Sequence, residues 1–432
     1  MSHDDNSHPF IGLQIEAVVF QNREPEAVLD EILEHAPINR LMLFHQWDLR
    51  WSPHLGSADA HGHGTGDLLD RLQKPAEERG IGLIAHIGER KWVPTPQCPG
   101  KATIQMIDCF GRRLSESCLA HPGWIDFQLA SVEDLFRQHP FLVGGMFMHE
   151  RRGPISALLG GSGEARSRRP YCFSPAFREL AAQRGIRTDR AMEGFRHLYH
   201  LFEESDAGAA RPDEGWFVTF WRLLTRYPEV LAWEQLFYDV LHDYRSGMVG
   251  AIKGVDLDYS VGYHVQNHTM LMDFAWRSGD EPERIQDYAD WIKLSVYPAV
   301  SGTRGKGRLR KINRTLLSDL PETVGRDFMR GIMGRSEADE PDWFAGKPEG
   351  FAPSWIAKEI RRWKKSASRR PVYAGLGIGI PGGQHAETPE YITECLQSAC
   401  DAGADGFLLS RDYNEMRPEL VNVAGRLFRE KF

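Results

Sequence analysis

Glu150 stands in the most reactive-looking stretch of the chain, VGGMFMHERRGP from Val143 to Pro154. Val143, Met146, Phe147 and Met148 form a short apolar run that ends abruptly in His149, Glu150, Arg151 and Arg152, and Gly153 and Pro154 then stop it. A continuous apolar run closed by turn residues reads as a strand buried on both faces. The polar cluster falls where such a strand leaves its sheet, the edge at which parallel α/β sheets assemble their chemistry. A glutamate placed there, flanked by His149 and Arg151, is positioned to donate a proton. The plain alternative is an ion pair of Glu150 with Arg151 or Arg152 that merely ends the strand.

Similar residues follow the other apolar runs. They are Glu16; His45, Gln46 and Trp47; His86 and Glu89; His264 and Asn267; Tyr297; and Arg411, Tyr413 and Glu415. Carboxylates, imidazoles, amides and aromatic rings gathered on one rim suit a carbohydrate, whose hydroxyls need donors and acceptors and whose faces stack on rings. Trp47, Trp51, Trp92 and Tyr263 are candidate platforms, and His149 and Arg151 candidate substrate contacts. Glycosidic cleavage needs one protonated and one ionised carboxyl group. Glu150 is the expected acid, and Glu89, Glu415 or Glu16 the expected partner.

The 17 histidines also raise a metal-hydrolase or isomerase reading, with His61 and His63 forming an H-x-H. The amidohydrolase pattern puts H-x-H on the first strand, where this chain has Gln14 and Glu16, so neither metal nor cofactor is expected. A non-catalytic carbohydrate-binding barrel is the third reading. The basic stretch TRGKGRLRKINR, Thr303 to Arg314, is expected to be a solvated loop. It could also take an anionic substrate group together with Arg166, Arg168 and Arg169.

Eight apolar runs must position these residues. They are Ile11–Phe20, Ile38–Phe44, Ile81–Ile87, the Val143 run, Tyr259–Val265, Trp291–Tyr297, Val372–Ile380 and Asp405–Ser410. Helical patterns separate them, which predicts an α/β fold, a (β/α)₈ TIM barrel as a single domain over residues 1–432. The interval 155–257 holds several helical stretches and predicts a helical insert between strands 4 and 5. There Trp216, Trp221 and Trp233 are expected to pack. Residues 299–370 form a long connection with helices between strands 6 and 7. Pro94 to Ala120 reads as a long loop. An open doubly wound sheet is the runner-up, although no G-x-G-x-x-G follows the first strand.

The 432 residues are 26% charged and 41% hydrophobic, as in soluble globular proteins. A net charge of -8 gives no general attraction to nucleic acid or anionic membrane. No apolar run approaches the roughly 18 residues of a membrane span. The polar, acidic start MSHDDNSHPF lacks the pattern of a signal peptide. The six cysteines form no CxxC pair and read as reduced thiols of a cytoplasmic enzyme. Homo-oligomerisation is left open.

Several segments together resemble a known group. They are GGMFMHERRGP, YCFSPAFRELAAQRGI, WRLLTRYPEVLAWEQLFYD, VGYHV and DGFLLSRDYNEM. The group is bacterial proteins described as hypothetical, glycoside hydrolase-like (β/α)₈ barrels, and the resemblance runs from about Ile11 to the end. It implies a barrel acting on a carbohydrate. The large retaining clan of such barrels ends its fourth strand in an acid/base glutamate, the position of Glu150. That clan has asparagine before the glutamate, where this chain has His149. It also has a glutamate nucleophile on the seventh strand, which here reads AGLGIGIPGG without a carboxylate, so no nucleophile carries over.

Overall fold

The computed structural model describes residues 9–44, 68–88, 101–159, 169–208, 211–267, 273–339, 350–381, 383 and 387–432. Eight parallel strands close into a barrel: β1 (Phe10–Glu16), β2 (Arg40–Phe44), β3 (Gly82–Ile87), β4 (Gly144–Phe147), β5 (Ser260–Val265), β6 (Trp291–Val296), β7 (Val372–Gly377) and β8 (Gly406–Ser410). Each pairs with its neighbour in sequence. The ring closes where β8 meets β1, with Phe10 opposite Gly406 and Leu13 opposite Leu409. This is the (β/α)₈ architecture that the alternation of apolar runs and helical patterns predicts.

Strand side chains alternate between two environments because the strand period is two. Ile11, Leu13 and Ile15 of β1 join the apolar layer between barrel and helices. Phe10 instead belongs to an interior cluster with Met42, Ile84, Met146, Trp291, Leu408 and Tyr373. Phe10 stacks on Tyr373 at 4.3 Å between ring centroids, and Trp291 lies 5.3 Å from each. These rings plug the amino-terminal end of the barrel. A cavity of about 680 Å³ lies outside the plug, lined in part by Phe10, Trp291 and Tyr373.

The plug depends on a missing side chain. A Cβ on Gly262 of β5 would lie 2.3 Å from the Trp291 ring. Gly262→Ala is therefore expected to cost about 1–3 kcal/mol by overpacking, read as a lowered melting temperature. An unchanged Tm would show that Trp291 moves aside freely.

Between β4 and β5 lie the helices Pro154–Leu159, Pro175–Gln183, Thr188–Asp206, Trp216–Arg226 and Glu229–Val255. The last packs on the helix Pro122–Gln138 against the barrel wall. Trp216 and Trp233 are buried, but Trp221 is 56% exposed on its helix beside exposed Phe217 and Val218, contrary to its expected packing role.

Other expectations change. β1 is shorter than the run Ile11–Phe20, and Ala17–Phe20 form a 3-10 turn. The Glu16 N–H is taken by the Asp412 carboxylate at 2.9 Å, and the chain leaves the sheet there. Within the expected loop Pro94 to Ala120, Gln105–Ile107 and Arg113–Ser117 pair as an antiparallel ribbon. Its turn is set by Asp108 Oδ1, which accepts the N–H groups of Phe110 and Arg112 at 2.9 Å each. The basic stretch is not a loop but most of the helix Pro298–Asn313. Pro298 opens that helix, and buried Val300, Leu309 and Ile312 fix its inner face. Among the described residues no helix is long and apolar enough to cross a membrane.

Candidate active site

Above the apolar plug the barrel interior turns polar toward the carboxyl ends of the strands. Gln14 of β1, His86 of β3, His264 of β5, and Lys293 and Ser295 of β6 are all buried there. Lys293 Nζ donates to Gln14 Oε1 at 3.2 Å. Ser295 Oγ and His264 Nε2 are 2.9 Å apart, and the His86 and His264 rings lie 6.5 Å centre to centre. Room for the lysine stem comes from Gly375 of β7, where a Cβ would lie 2.4 Å from Lys293 Cε.

Burial dominates the protonation of this layer. It pushes Lys293 down to about 7, with the Glu150 charge opposing. It pushes His86 down to about 3, helped by the Lys293 and His149 charges. His264 is driven well below its ordinary value by burial, then by Lys293 and His86. The two imidazoles are thus neutral near pH 7.

Glu150 lies exposed above this layer, at the end of β4. Its charge acts on Lys293, on Tyr297 and on Arg304. Tyr297 follows β6 and faces Ser295 and Ser410; burial raises its hydroxyl. Arg304 comes from the helix Pro298–Asn313, and its Nη1 donates to Asn267 Oδ1 at 3.3 Å. Asn267 in turn donates to the Ser295 carbonyl at 3.1 Å. Arg411, following β8, faces Tyr297 and Glu16 and forms a two-pronged pair with Glu415, Nε to Oε2 at 3.0 Å and Nη2 to Oε1 at 2.5 Å. Glu16, Glu150, His86, His264, Asn267, Tyr297, Arg411 and Glu415 are therefore all found on the carboxyl side of the barrel.

Three residues from the same run ends lie elsewhere: alternation turns His149 and Tyr263 outward, and Tyr413 stands in a 3-10 turn beyond β8. His149 packs between Phe147 and Tyr244, with ring centroids 5.7 and 4.9 Å away. Tyr263 lies under the Arg245 guanidinium at 4.5 Å, and its hydroxyl donates to Asp280 Oδ1 at 3.3 Å. Tyr413 donates to Glu31 Oε1 at 2.9 Å, on the helix Pro25–His35. Arg151 is buried in the turn after Glu150, its N–H donating to the His149 carbonyl at 2.9 Å. His45, Trp47, Trp51, His61, His63, Glu89, Trp92, Arg166 and Arg168 lie outside the described residues. Arg308 of the basic helix is paired internally with Asp273. Among the described residues no three His, Cys, Asp or Glu side chains converge as metal ligands.

Sequence reasoning missed the supports of the Glu150 turn. Glu234 Oε2 accepts the Ile155 N–H at 2.8 Å, and the Tyr238 hydroxyl accepts the Gly153 N–H at 3.1 Å. Both stand on the helix Glu229–Val255, about one turn apart, so one helix face grips the turn. Burial pushes Glu234 up to about 8, against the Ile155 N–H and with help from the Asp273 charge. Its folded value lies above the usual 4.5, so its contribution to stability is complete below about 4.5 and is lost as pH rises through about 8. Glu234→Gln keeps an acceptor but cannot ionise. It is expected to remove a stability slope of about 1.4 kcal/mol per pH unit within that window. Urea melts of both proteins from pH 5 to 8 check this, and parallel pH dependences would refute it.

No family model and no curated protein matches the chain. Its fold is similar to several solved barrels. The cold-adapted β-galactosidase from Rahnella sp. R3 aligns with a TM-score of 0.57 at 11% identity, covering 100% of this chain and 57% of that one. A GH42 β-galactosidase from G. stearothermophilus gives 0.55 at 10%, covering 98% and 57%. The β-galactosidase from the psychrophilic Marinomonas ef1 gives 0.54 at 11%, covering 98% and 59%. The chain thus spans less than two thirds of the length of these enzymes, and at such identities the likeness is one of fold.

Proposed function

We propose that the protein is a glycoside hydrolase that cleaves an O-glycosidic bond in the carboxyl-end mouth of its barrel. The observation that carries this reading is Glu150 set above a buried polar layer, with its charge acting on Lys293, Tyr297 and Arg304. A barrel interior is ordinarily filled by branched apolar side chains. Polarity confined to one end marks that end as the place where a polar ligand is met. The fold shared with β-galactosidases supports the reading as an analogy.

Of the two carboxyl states that cleavage needs, Glu150 suits the ionised one. Lys293 and Arg304 attract its charge, and an ionised carboxylate either attacks the anomeric carbon or takes a proton from water. This differs from the donor role expected from the sequence, and the difference comes from those two cations. Arg304 and Arg411 also fit an anionic substituent on the sugar. The test is purified protein on a panel of oligosaccharides and aryl glycosides, neutral and acidic. Release of a free sugar by the wild type is expected. A panel with no cleavage would remove the hydrolase reading and leave a carbohydrate-binding barrel.

A further inference from the structure

The barrel seam brings together two carboxyl groups that sequence reasoning did not pair. Glu16 ends β1, and Asp412 follows β8. The seam register places the two strands side by side, and the Glu16 N–H donates to Asp412 Oδ1 at 2.9 Å. The two carboxyl groups lie against each other at this contact. Two carboxyl groups can hydrogen-bond only through a proton held between them, because a carboxylate has no donor of its own. The Asn414 amide faces the same aspartate and donates to Oδ1 at 2.6 Å. Asp412 is buried, while Glu16 is half-buried and is the more exposed member.

We propose that Glu16 and Asp412 share one proton and that Glu16 delivers it to the departing oxygen of a glycoside, making the pair the acid that complements Glu150. This rests on the hydrolase reading above. The glycosidic C–O bond breaks with its electrons going to the leaving oxygen, which takes the shared proton. The pair is left with both carboxylates ionised, water supplies the hydroxyl that ends on the sugar carbon, and the water's other proton restores the one the pair gave up.

Two like charges in contact resist joint ionisation, which is how paired carboxyls keep a proton at neutral pH. Burial first, then the Glu16 and Glu415 charges, push Asp412 up to about 7 against the Glu16 N–H. The charged groups facing the pair are Glu415, on the turn after Asp412, and Arg411, which is drawn to both Glu16 and Glu415. Tyr297 links the two sides of the site, since it faces Glu150 and also Arg411.

The first test needs no substrate. In protein carrying ¹³C-labelled aspartate and glutamate carboxyls, one carboxyl signal is expected to titrate near pH 7. It should be lost or moved to the ordinary range in both Asp412→Asn and Glu16→Gln. If no carboxyl signal near pH 7, that of Glu234 set aside, responds to both substitutions, proton sharing is overturned. The second test is kinetic. Both variants should lose about 10²- to 10⁴-fold on glycosides with poor leaving groups and much less on nitrophenyl glycosides. Turnover of poor substrates by the wild type should fall above pH 7, and that limb should vanish in Asp412→Asn. Full turnover of a poor substrate by both variants overturns the delivery step. A wild type that cleaves nothing overturns the hydrolase reading and delivery together, while the titration still decides whether the proton is shared.

Discussion

Glu150→Gln is expected to lower kcat/KM by about 10²- to 10⁴-fold on every glycoside the wild type cleaves, whether its leaving group is good or poor. An ionised carboxylate acts on the sugar carbon or on the attacking water, so an acidic aglycone does not relieve its loss. Proton donation behaves differently, because a good leaving group departs without help. The side chain is exposed at the end of β4, so the amide should fold normally. Kinetics on a matched pair of alkyl and nitrophenyl glycosides, with a melting curve as control, check this. Equal losses on both support the ionised role. A loss confined to the alkyl glycoside would return Glu150 to proton donation, and no loss on either would leave it as the end of a strand.

Lys293→Met is expected to raise stability while removing activity. Burial holds the amine down to about 7 from an ordinary 10.5. The depressed value means that the charged form is penalised in the folded state. The penalty is full below about pH 7 and fades as pH rises toward 10.5. Methionine has nearly the same length and no charge, but it leaves Gln14 Oε1 without its donor, which costs about 1–3 kcal/mol. Relief of the amine penalty exceeds that cost, and a net gain of about 1–3 kcal/mol is expected at pH 7 and below. The gain should shrink at pH 9. Activity should fall at least about 10²-fold, since the cation beside Glu150 is gone. Denaturant melts at pH 6 and 9, with initial rates at pH 7, measure both effects. Lower stability at pH 6 would show that the Gln14 bond outweighs the buried amine. Such opposed effects are common where a site is built at the expense of its scaffold.

The strand-ending polar residues were legible in the sequence because an apolar run that stops in charged residues marks both a strand and its exit. Glu16, Glu150, Tyr297 and Arg411 followed from that pattern alone. The side to which each faces was harder to see. Tyr263 and His149 sit one position off the inward parity and pack under helices, while His264 and Glu150, their immediate neighbours, face the mouth. Lys293 carried a usable signal: a lone charge in WIKLSVY, at the same parity as Trp291 and Ser295. Asp412 and Arg304 could not be found this way. Their roles depend on the closing of β8 on β1 and on a helix that reads locally as a basic loop. Glu234 and Tyr238 grip a turn 79 and 85 residues earlier in the chain, a relation set only by tertiary packing.

The stacked rings of Phe10, Trp291 and Tyr373 also govern traffic. Among the described residues they close the amino end of the barrel with aromatic carbon, so a ligand of the polar layer would reach it from the carboxyl end. On the hydrolase reading, a fragment bound toward the polar layer would have the other fragment between itself and the solvent. Inhibition by the outer product would then be the kinetic mark of a barrel sealed at its amino end.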